Sequence, residues 1–274
     1  MTPEKFRALQ LVQASIMDDI HRVCVKNNLK YYMIGGTALG AVRHKGFIPW
    51  DVDIDIAMPR EDYEKFIEIA NKELDSKHEC HTYMTDKVFH SPHILVVLKK
   101  SSITLRDDNL NPHIKRFGIY IDILPLDQVP KDDKLRKKHA RDLALLSKIK
   151  YYKDSRIYSH NGVVIRLLKR LLRCLFCCIS YHKLNELQQK VATRYNNLSD
   201  TGEICSTLSH YKYEKLCMPK SIWGTPKLYD FEGRQYYGQE DINAYLTRLF
   251  GDYMKLPSVE IQDIQRKMVF DANW

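Results

Sequence analysis

The sequence predicts an α/β fold, a sheet with helical cover, and three observations carry that reading. Apolar residues recur at every third or fourth position in two stretches of the N-terminal quarter, the mark of helices with one buried face. Short runs rich in Val, Ile and Tyr lie between and beyond them, the mark of strands. The two kinds follow one another as helix, strand, helix, strand, helix, strand, strand, an order that builds a covered sheet. With 274 residues, 44% of them hydrophobic, the chain can form one large domain or two small ones with a proper core.

The first helix starts after Thr2, with Pro3 at its first position. It carries Phe6, Leu9, Val12, Ile16, Ile20 and Val23 on one face and ends at Asn27-Asn28. A strand is predicted over 29–34, running into Gly35-Gly36, and a helix over 37–44 opens directly after the glycines. A loop around Pro49 leads to a strand over 52–57. Pro59 starts a helix carrying Tyr63, Phe66, Ile67, Ala70 and Leu74. Strands follow over 94–98 and 118–124, the second ending at Pro125. From 131 to 197 the pattern is mostly helical, and 206–257 is mixed and rich in Tyr, Trp and Gly. There is no internal repeat.

The net charge of +9 points to an anionic partner: nucleic acid, a phosphorylated substrate or a membrane surface. The stretch 130–183 holds fifteen Lys and Arg against four Asp, so the rest of the chain is slightly acidic. Within it, 163–180 reads VVIRLLKRLLRCLFCCIS. On a helix, Arg166, Lys169, Arg170 and Arg173 form one basic stripe and the rest is nearly all apolar. That pattern suits a helix in a membrane interface, and equally a core helix with its basic edge in water. The seven cysteines, Cys24, Cys80, Cys174, Cys177, Cys178, Cys205 and Cys217, are odd in number. No second pair complements Cys174 and Cys177 as a zinc site would need, so reduced thiols in a cytosolic protein are expected. No apolar segment follows the first residues as in a signal peptide, and no run of eighteen uncharged apolar residues marks a membrane span.

The chemistry concentrates in residues 32–59, YMIGGTALGAVRHKGFIPWDVDIDIAMP. Gly35-Gly36-Thr37 lies between a strand and a helix. Glycine lets backbone approach a ligand closely, and a helix beginning there offers free N–H groups and a positive dipole end to a phosphate. On a strand, alternation sends Asp51, Asp53 and Asp55 to one face, where Asp53 and Asp55 can hold one or two hard cations and Asp51 is a substrate-binding candidate. Asp122, flanked by Ile121 and Ile123, is costly in a strand without a partner. If that strand lies beside 52–57, Asp53, Asp55 and Asp122 converge, as two-metal phosphoryl transfer requires, and one of them, most simply Asp122, can take the nucleophile's proton. Each piece alone has an ordinary explanation, a tight turn or a solvated strand face. Arg43, His44 and Lys45 are candidates to neutralise a diphosphate, or are cations at a helix end. Trp50 can stack on a base or a quaternary ammonium, or cover the core. Tyr211, Tyr213, Trp223, Tyr229, Tyr236 and Tyr237 are candidates for an aromatic cage.

These motifs resemble the nucleotidyltransferase superfamily and, within it, the LicD family of phosphocholine transferases, related to fukutin-type enzymes. The segment from Gly36 to Asp51 with Asp53-Ile54-Asp55 is very close to that family's opening signature. GIYIDILPLD at 118–127 looks like its second block. Phe231-Glu232-Gly233, Tyr245-Leu246 and Phe250-Gly251-Asp252-Tyr253-Met254 look like its C-terminal block. Val52 stands where the family usually has the middle of three consecutive aspartates, Phe250 where tyrosine is commoner, and the proline usual downstream of Gly233 is missing. The resemblance implies a nucleotidyltransferase-like mixed sheet core over 1–130, a basic helical insertion over 131–205 and a C-terminal segment over 206–274 that completes the catalytic domain. It implies transfer of phosphocholine, or a similar phospho-alcohol, from CDP-choline or a related CDP-alcohol to a glycan hydroxyl, with release of CMP. The acceptor would be a cell-surface glycan or its lipid-linked precursor, the cofactor Mg2+ or Mn2+, and the location cytoplasmic or peripheral on the inner membrane face. Nucleic acid is not an expected partner. Two alternatives remain at this point: a nucleotidyltransferase moving a nucleoside monophosphate onto a small acceptor, and a non-catalytic binder of anionic surfaces.

Overall fold

A computed structural model of the protein describes residues 1–87, 89–105, 118–154, 162–209, 211–266 and 269–274. Its elements run α1 (Pro3–Lys26), β1 (Tyr32–Met33), α2 (Gly35–His44), β2 (Asp55–Pro59), α3 (Arg60–Glu73), β3 (His78–His81), β4 (Ile94–Leu98), β5 (Ser102–Leu105) and β6 (Tyr120–Gln128). Then come α4 (Asp133–Asp154), α5 (Val163–Phe176), α6 (Tyr181–Ala192), β7 (Glu203–Cys205), α7 (Tyr213–Leu216), β8 (Met218–Pro219) and α8 (Lys220–Trp223). The chain closes with β9 (Lys227–Phe231), β10 (Arg234–Gly238), α9 (Ile242–Phe250), α10 (Val259–Arg266) and β11 (Val269–Asn273). The expected mixed α/β architecture is the one observed. The main sheet has the order β1-β2-β6-β4-β3, with β7 and β8 joined to the far end of β6. Among the described residues of this sheet, only β2 and β6 run parallel; the other pairs are antiparallel.

α1 forms as its sequence dictates. Thr2 caps it by accepting from Lys5 N, Pro3 opens it, and Phe6, Leu9, Ile16, Ile20 and Val23 are buried. It also sends two polar side chains inward. Gln10 Nε2 donates to Asp51 O (2.7 Å), and Gln13 Nε2 to Tyr120 O (3.2 Å).

Those two glutamines explain the main departure from expectation. The strand predicted over 52–57 begins only at Asp55 and runs to Pro59. Asp122 N reaches back to Ile54 O, but the next β6 carbonyl towards the N-terminus, that of Tyr120, is taken by Gln13. Residues 51–54 therefore leave the sheet, and strand alternation does not set the direction of Asp51 and Asp53. The strand over 29–34 likewise shrinks to Tyr32–Met33, because α2 starts at Gly35 rather than at residue 37. β6 continues past Pro125. The missing N–H faces the β4 side, where the β4 ladder has already ended at Ile94↔Ile123, so no bond is lost.

The 131–197 stretch is helical as expected. α4 is tied to α6 by the buried Lys150, whose Nζ donates to Asn185 Oδ1 and to His90 O. All seven cysteines are free thiols, four of them buried. Among the described residues, no helix is long and apolar enough to cross a membrane.

Candidate active site

The parallel pairing of β2 with β6 sets Asp55 directly opposite Asp122. Two carboxylates thus meet across adjacent strands, about 4.8 Å apart at the backbone. α2 is stitched over the end of β2 by Ile34 N donating to Asp55 O (3.0 Å) and by Asp55 N donating to Thr37 Oγ1 (2.9 Å). The glycine pair allows this closeness. Gly35 takes φ +53°, a conformation that costs glycine little. A β-carbon on Gly36 would lie 2.5 Å from Asp51 Oδ2. The Gly35 N–H is already spent on the hydroxyl of Tyr245 (2.9 Å), so it is not free for a phosphate. Gly36 and Thr37 lie in the first helical turn, where N–H groups lack intrahelical acceptors.

The carboxylates form the wall between two cavities. A cleft of about 750 Å3 is lined by Gly36, Arg43, Trp50, Asp51, Asp53 and Asp55, with Tyr120, Tyr211, Phe250 and Tyr253. A recess of about 240 Å3 is lined by Gly35, Asp53, Asp55, His93, Asp122 and Tyr211. Asp53, Asp55 and Tyr211 belong to both.

Electrostatically the wall is uncompensated. Among the described residues, no Lys or Arg forms an ion pair with Asp51, Asp53 or Asp55. Burial, and then the charges of Asp122 and Asp51, push Asp55 well above the ordinary carboxylate range. Burial also raises Asp51, against an opposing hydrogen bond from Asp53. Burial of its carboxyl, and then the charges of Asp51 and Asp55, raise Asp53 well above the ordinary carboxylate range. Burial, and then Asp55, Asp53 and Asp51, push the Tyr211 phenol up to about 12. Among the described residues, the Asp122 side chain is held by His93, whose Nε2 lies 2.7 Å from Oδ1.

The donor set suits a hard divalent cation in its chemistry: carboxylate oxygens whose mutual repulsion a positive charge would relieve. It is not closed around a point. Among the described residues, no three His, Cys, Asp or Glu side chains are gathered tightly enough to hold a metal ion. Asp53, on a loop and exposed, is the member free to adjust.

Of the other candidate residues, Arg43 and Trp50 reach the cleft. Arg43 Nη1 donates to Tyr253 O (2.8 Å) and Nε faces His44 Nε2 (2.9 Å), while Nη2 has no protein partner among the described residues. His44 and Lys45 line neither cavity. His44 packs edge-on against Trp50, and burial and then Arg43 lower its pKa. Lys45 is exposed and closes α2 in the left-handed conformation at φ +57°. The six-residue aromatic cage does not assemble. Tyr211 is at the site, but Tyr213 packs on His139, Trp223 is buried between Tyr32 and Tyr245, Tyr236 and Tyr237 pack around His21, and Tyr229 bonds Gln239 O.

Three contributors were not legible as site residues. His93 sits just before β4, and only the β4–β6 pairing brings it to Asp122. Tyr245 holds Gly35, and the Tyr253 carbonyl holds Arg43. Glu232 is an anchor rather than a ligand. Its carboxylate accepts from Phe47 N (2.9 Å) and from Arg7, which fixes the loop after α2.

Comparison with known proteins agrees with this geometry. A family model described as LicD/FKTN/FKRP, nucleotidyltransferase domain, matches residues 28–148, which hold every one of these carboxylates. The chain is 31% identical over 262 residues to the lipopolysaccharide cholinephosphotransferase LicD of Haemophilus influenzae, covering 93% of this chain and 94% of that protein. Uncharacterised proteins of Rickettsia typhi and Rickettsia prowazekii share 49% over 63 residues and 52% over 56 residues, about a fifth of their lengths. With likeness along nearly its whole length and the acids and glycines set around two adjoining cavities, the chain belongs to the LicD/FKTN/FKRP nucleotidyltransferase-domain family.

Proposed function

We propose that the protein transfers phosphocholine, or a similar phospho-alcohol, from a CDP-linked donor to a hydroxyl of a cell-surface glycan or its lipid-linked precursor. The observation that carries the reading is the register Asp55↔Asp122 beneath the start of α2, an acidic wall shared by two cavities. The name of the Haemophilus influenzae relative supports choline as the alcohol.

In this reading the donor diphosphate lies in the larger cleft, against the Gly36 and Thr37 N–H groups, with Arg43 Nη2 on its oxygens. Trp50, Tyr211 and Phe250 offer ring faces to the cytosine or to a quaternary ammonium. The acceptor hydroxyl enters from the recess beside Asp122. Asp122 takes its proton as the oxygen bonds to the alcohol-bearing phosphorus. The bond from that phosphorus to the bridging oxygen breaks, and CMP leaves with the electron pair. His93 holds Asp122 Oδ1, so the other oxygen is the one aimed at the hydroxyl. Asp53, Asp55 and Asp122 would hold Mg2+ or Mn2+, which supplies charge neutralisation of the phosphate oxygens. The free thiols suit a reducing compartment, and the reaction is assigned to the cytoplasm.

The test is incubation with CDP-choline, CDP-ribitol, CTP or ATP, with magnesium and a glycan acceptor. Release of CMP without pyrophosphate from one CDP-alcohol is expected. Pyrophosphate from CTP or ATP would instead establish nucleotidyl transfer.

A further inference from the structure

α5 shows the solvent its apolar face. None of its fourteen residues is buried. Val163, Val164, Leu167, Leu168, Leu171 and Leu175 are 61, 79, 58, 53, 66 and 65% exposed. At 3.6 residues per turn these six fall within an arc of about 140°. The opposite side, where Leu172 and Phe176 are half-buried, packs on α4. Lys153 of α4 fastens the end of α5 by donating to Phe176 O and Cys177 O. The outward face is therefore held in position and is not a frayed end. Arg170, exposed, and Arg166, half-buried, border it along one flank, Lys169 and Arg173 lie half-buried on the side towards α4, and α5 contains no acid. The exposed stripe of α4 adds Lys134, Lys138, Arg141 and Lys148.

We propose that α5 docks this protein on an anionic phospholipid bilayer, lying in the plane of the interface. Its leucines and valines enter the acyl boundary and its basic flank meets the headgroup phosphates. Three features select this occupant. Fourteen residues make a helix of about 21 Å, too short to cross a hydrocarbon core of about 30 Å. Arg166 and Arg170 at the edge of the apolar face, with no acid on α5, are complementary to anionic headgroups. A second copy of the chain would cover the apolar face but bring no acid on α5 to those cations. The surface lies outside both catalytic cavities, so the inference stands whatever group is transferred.

The experiment is co-sedimentation of the full-length protein with vesicles of phosphatidylcholine alone or with about one-third phosphatidylglycerol. Binding is expected to be at least about tenfold tighter to the anionic vesicles and to weaken at high salt. The double variant Leu167→Glu/Leu171→Glu should lose binding by about tenfold or more. Its Tm and its CMP release with a soluble acceptor should be unchanged, because both side chains are exposed and line neither cavity. Equal binding by wild type and double variant, or none by the wild type, overturns the proposal. So does a dimer that the double variant converts to monomer, which would assign the face to self-association.

Discussion

The acidic wall makes a thermodynamic prediction that needs no substrate. Asp55 faces Asp122 across parallel strands, and at about 5 Å with an effective dielectric constant near 20 two such charges repel by about 3 kcal/mol. The His93 bond and the 20% exposure of the Asp122 side chain reduce this, leaving about 1–2 kcal/mol stored in the metal-free native state at neutral pH. Asp55→Asn keeps the shape and removes the repulsion. In EDTA at pH 8 its Tm should therefore exceed that of the wild type by about 2–8 °C, at about 2–4 °C per kcal/mol for a chain of this size. The sign of the pH dependence follows from the raised pKa of Asp55. The folded state holds its proton more tightly than the unfolded chain does, so the penalty is full above the raised folded value. It fades as pH falls towards the ordinary 3.8. The advantage of Asp55→Asn should accordingly shrink at pH 5 and approach zero near pH 4, read by thermal denaturation followed by circular dichroism. A variant equally stabilised or destabilised at pH 8 and pH 4 would mean that Asp55 is an ordinary structural side chain, and the electrostatic argument would fail.

Further outcomes follow from the same geometry. His93→Gln should lower kcat by about 10–100-fold, the usual cost of losing a partner that orients a functional carboxylate, with KM for the donor little changed. Gly36→Ala puts a methyl group 2.5 Å from Asp51 Oδ2 and must drive that carboxylate aside; transfer should fall about 10²-fold while the circular dichroism spectrum stays native. Glu232→Ala strands the Phe47 N–H and Arg7, and should lower stability by about 1–3 kcal/mol in urea denaturation while the surviving folded enzyme keeps its KM. Millimolar magnesium should raise the Tm of the wild type and not that of Asp53→Asn; equal shifts in both would remove Asp53 from the metal set.

What the sequence made legible was local chemistry; what it hid was pairing. α1 could be read because its cap, its proline and its apolar spacing all lie within one helix. Asp55 and Asp122 could be singled out because each is a charge in an apolar strand, and such a charge needs a partner wherever the strand goes. The strand predicted over 52–57 failed at its beginning because its length is decided by Gln13, forty residues upstream, which takes the Tyr120 carbonyl. Periodicity carries no trace of that competition. His93 stayed hidden for the same reason: it becomes relevant only once β4 lies antiparallel to β6. The aromatic residues were misassigned because a tyrosine in the core and a tyrosine at a ligand have the same composition signal. The partners that distinguish them come from distant elements, His139 for Tyr213 and Gly35 for Tyr245.

The loop carrying Asp51 and Asp53 shows why the departure from a strand is useful. A strand would lock all three aspartates at fixed spacing and spread their repulsion along the sheet. Instead Gln10 holds the backbone at Asp51, Thr37 holds it at Asp55, and Asp53 between them is left exposed to both cavities. On the proposed reading, two rigid ends with one adjustable carboxylate would accept a cation and a phosphate without displacing a Lys or Arg, since none among the described residues pairs with Asp51, Asp53 or Asp55. A cation bound there, as proposed, would release the stored repulsion, so the term that lowers metal-free stability would be the one that raises affinity. If so, substitutions that stabilise the metal-free protein at this wall should weaken magnesium binding in proportion, and a variant that gained both would break the link.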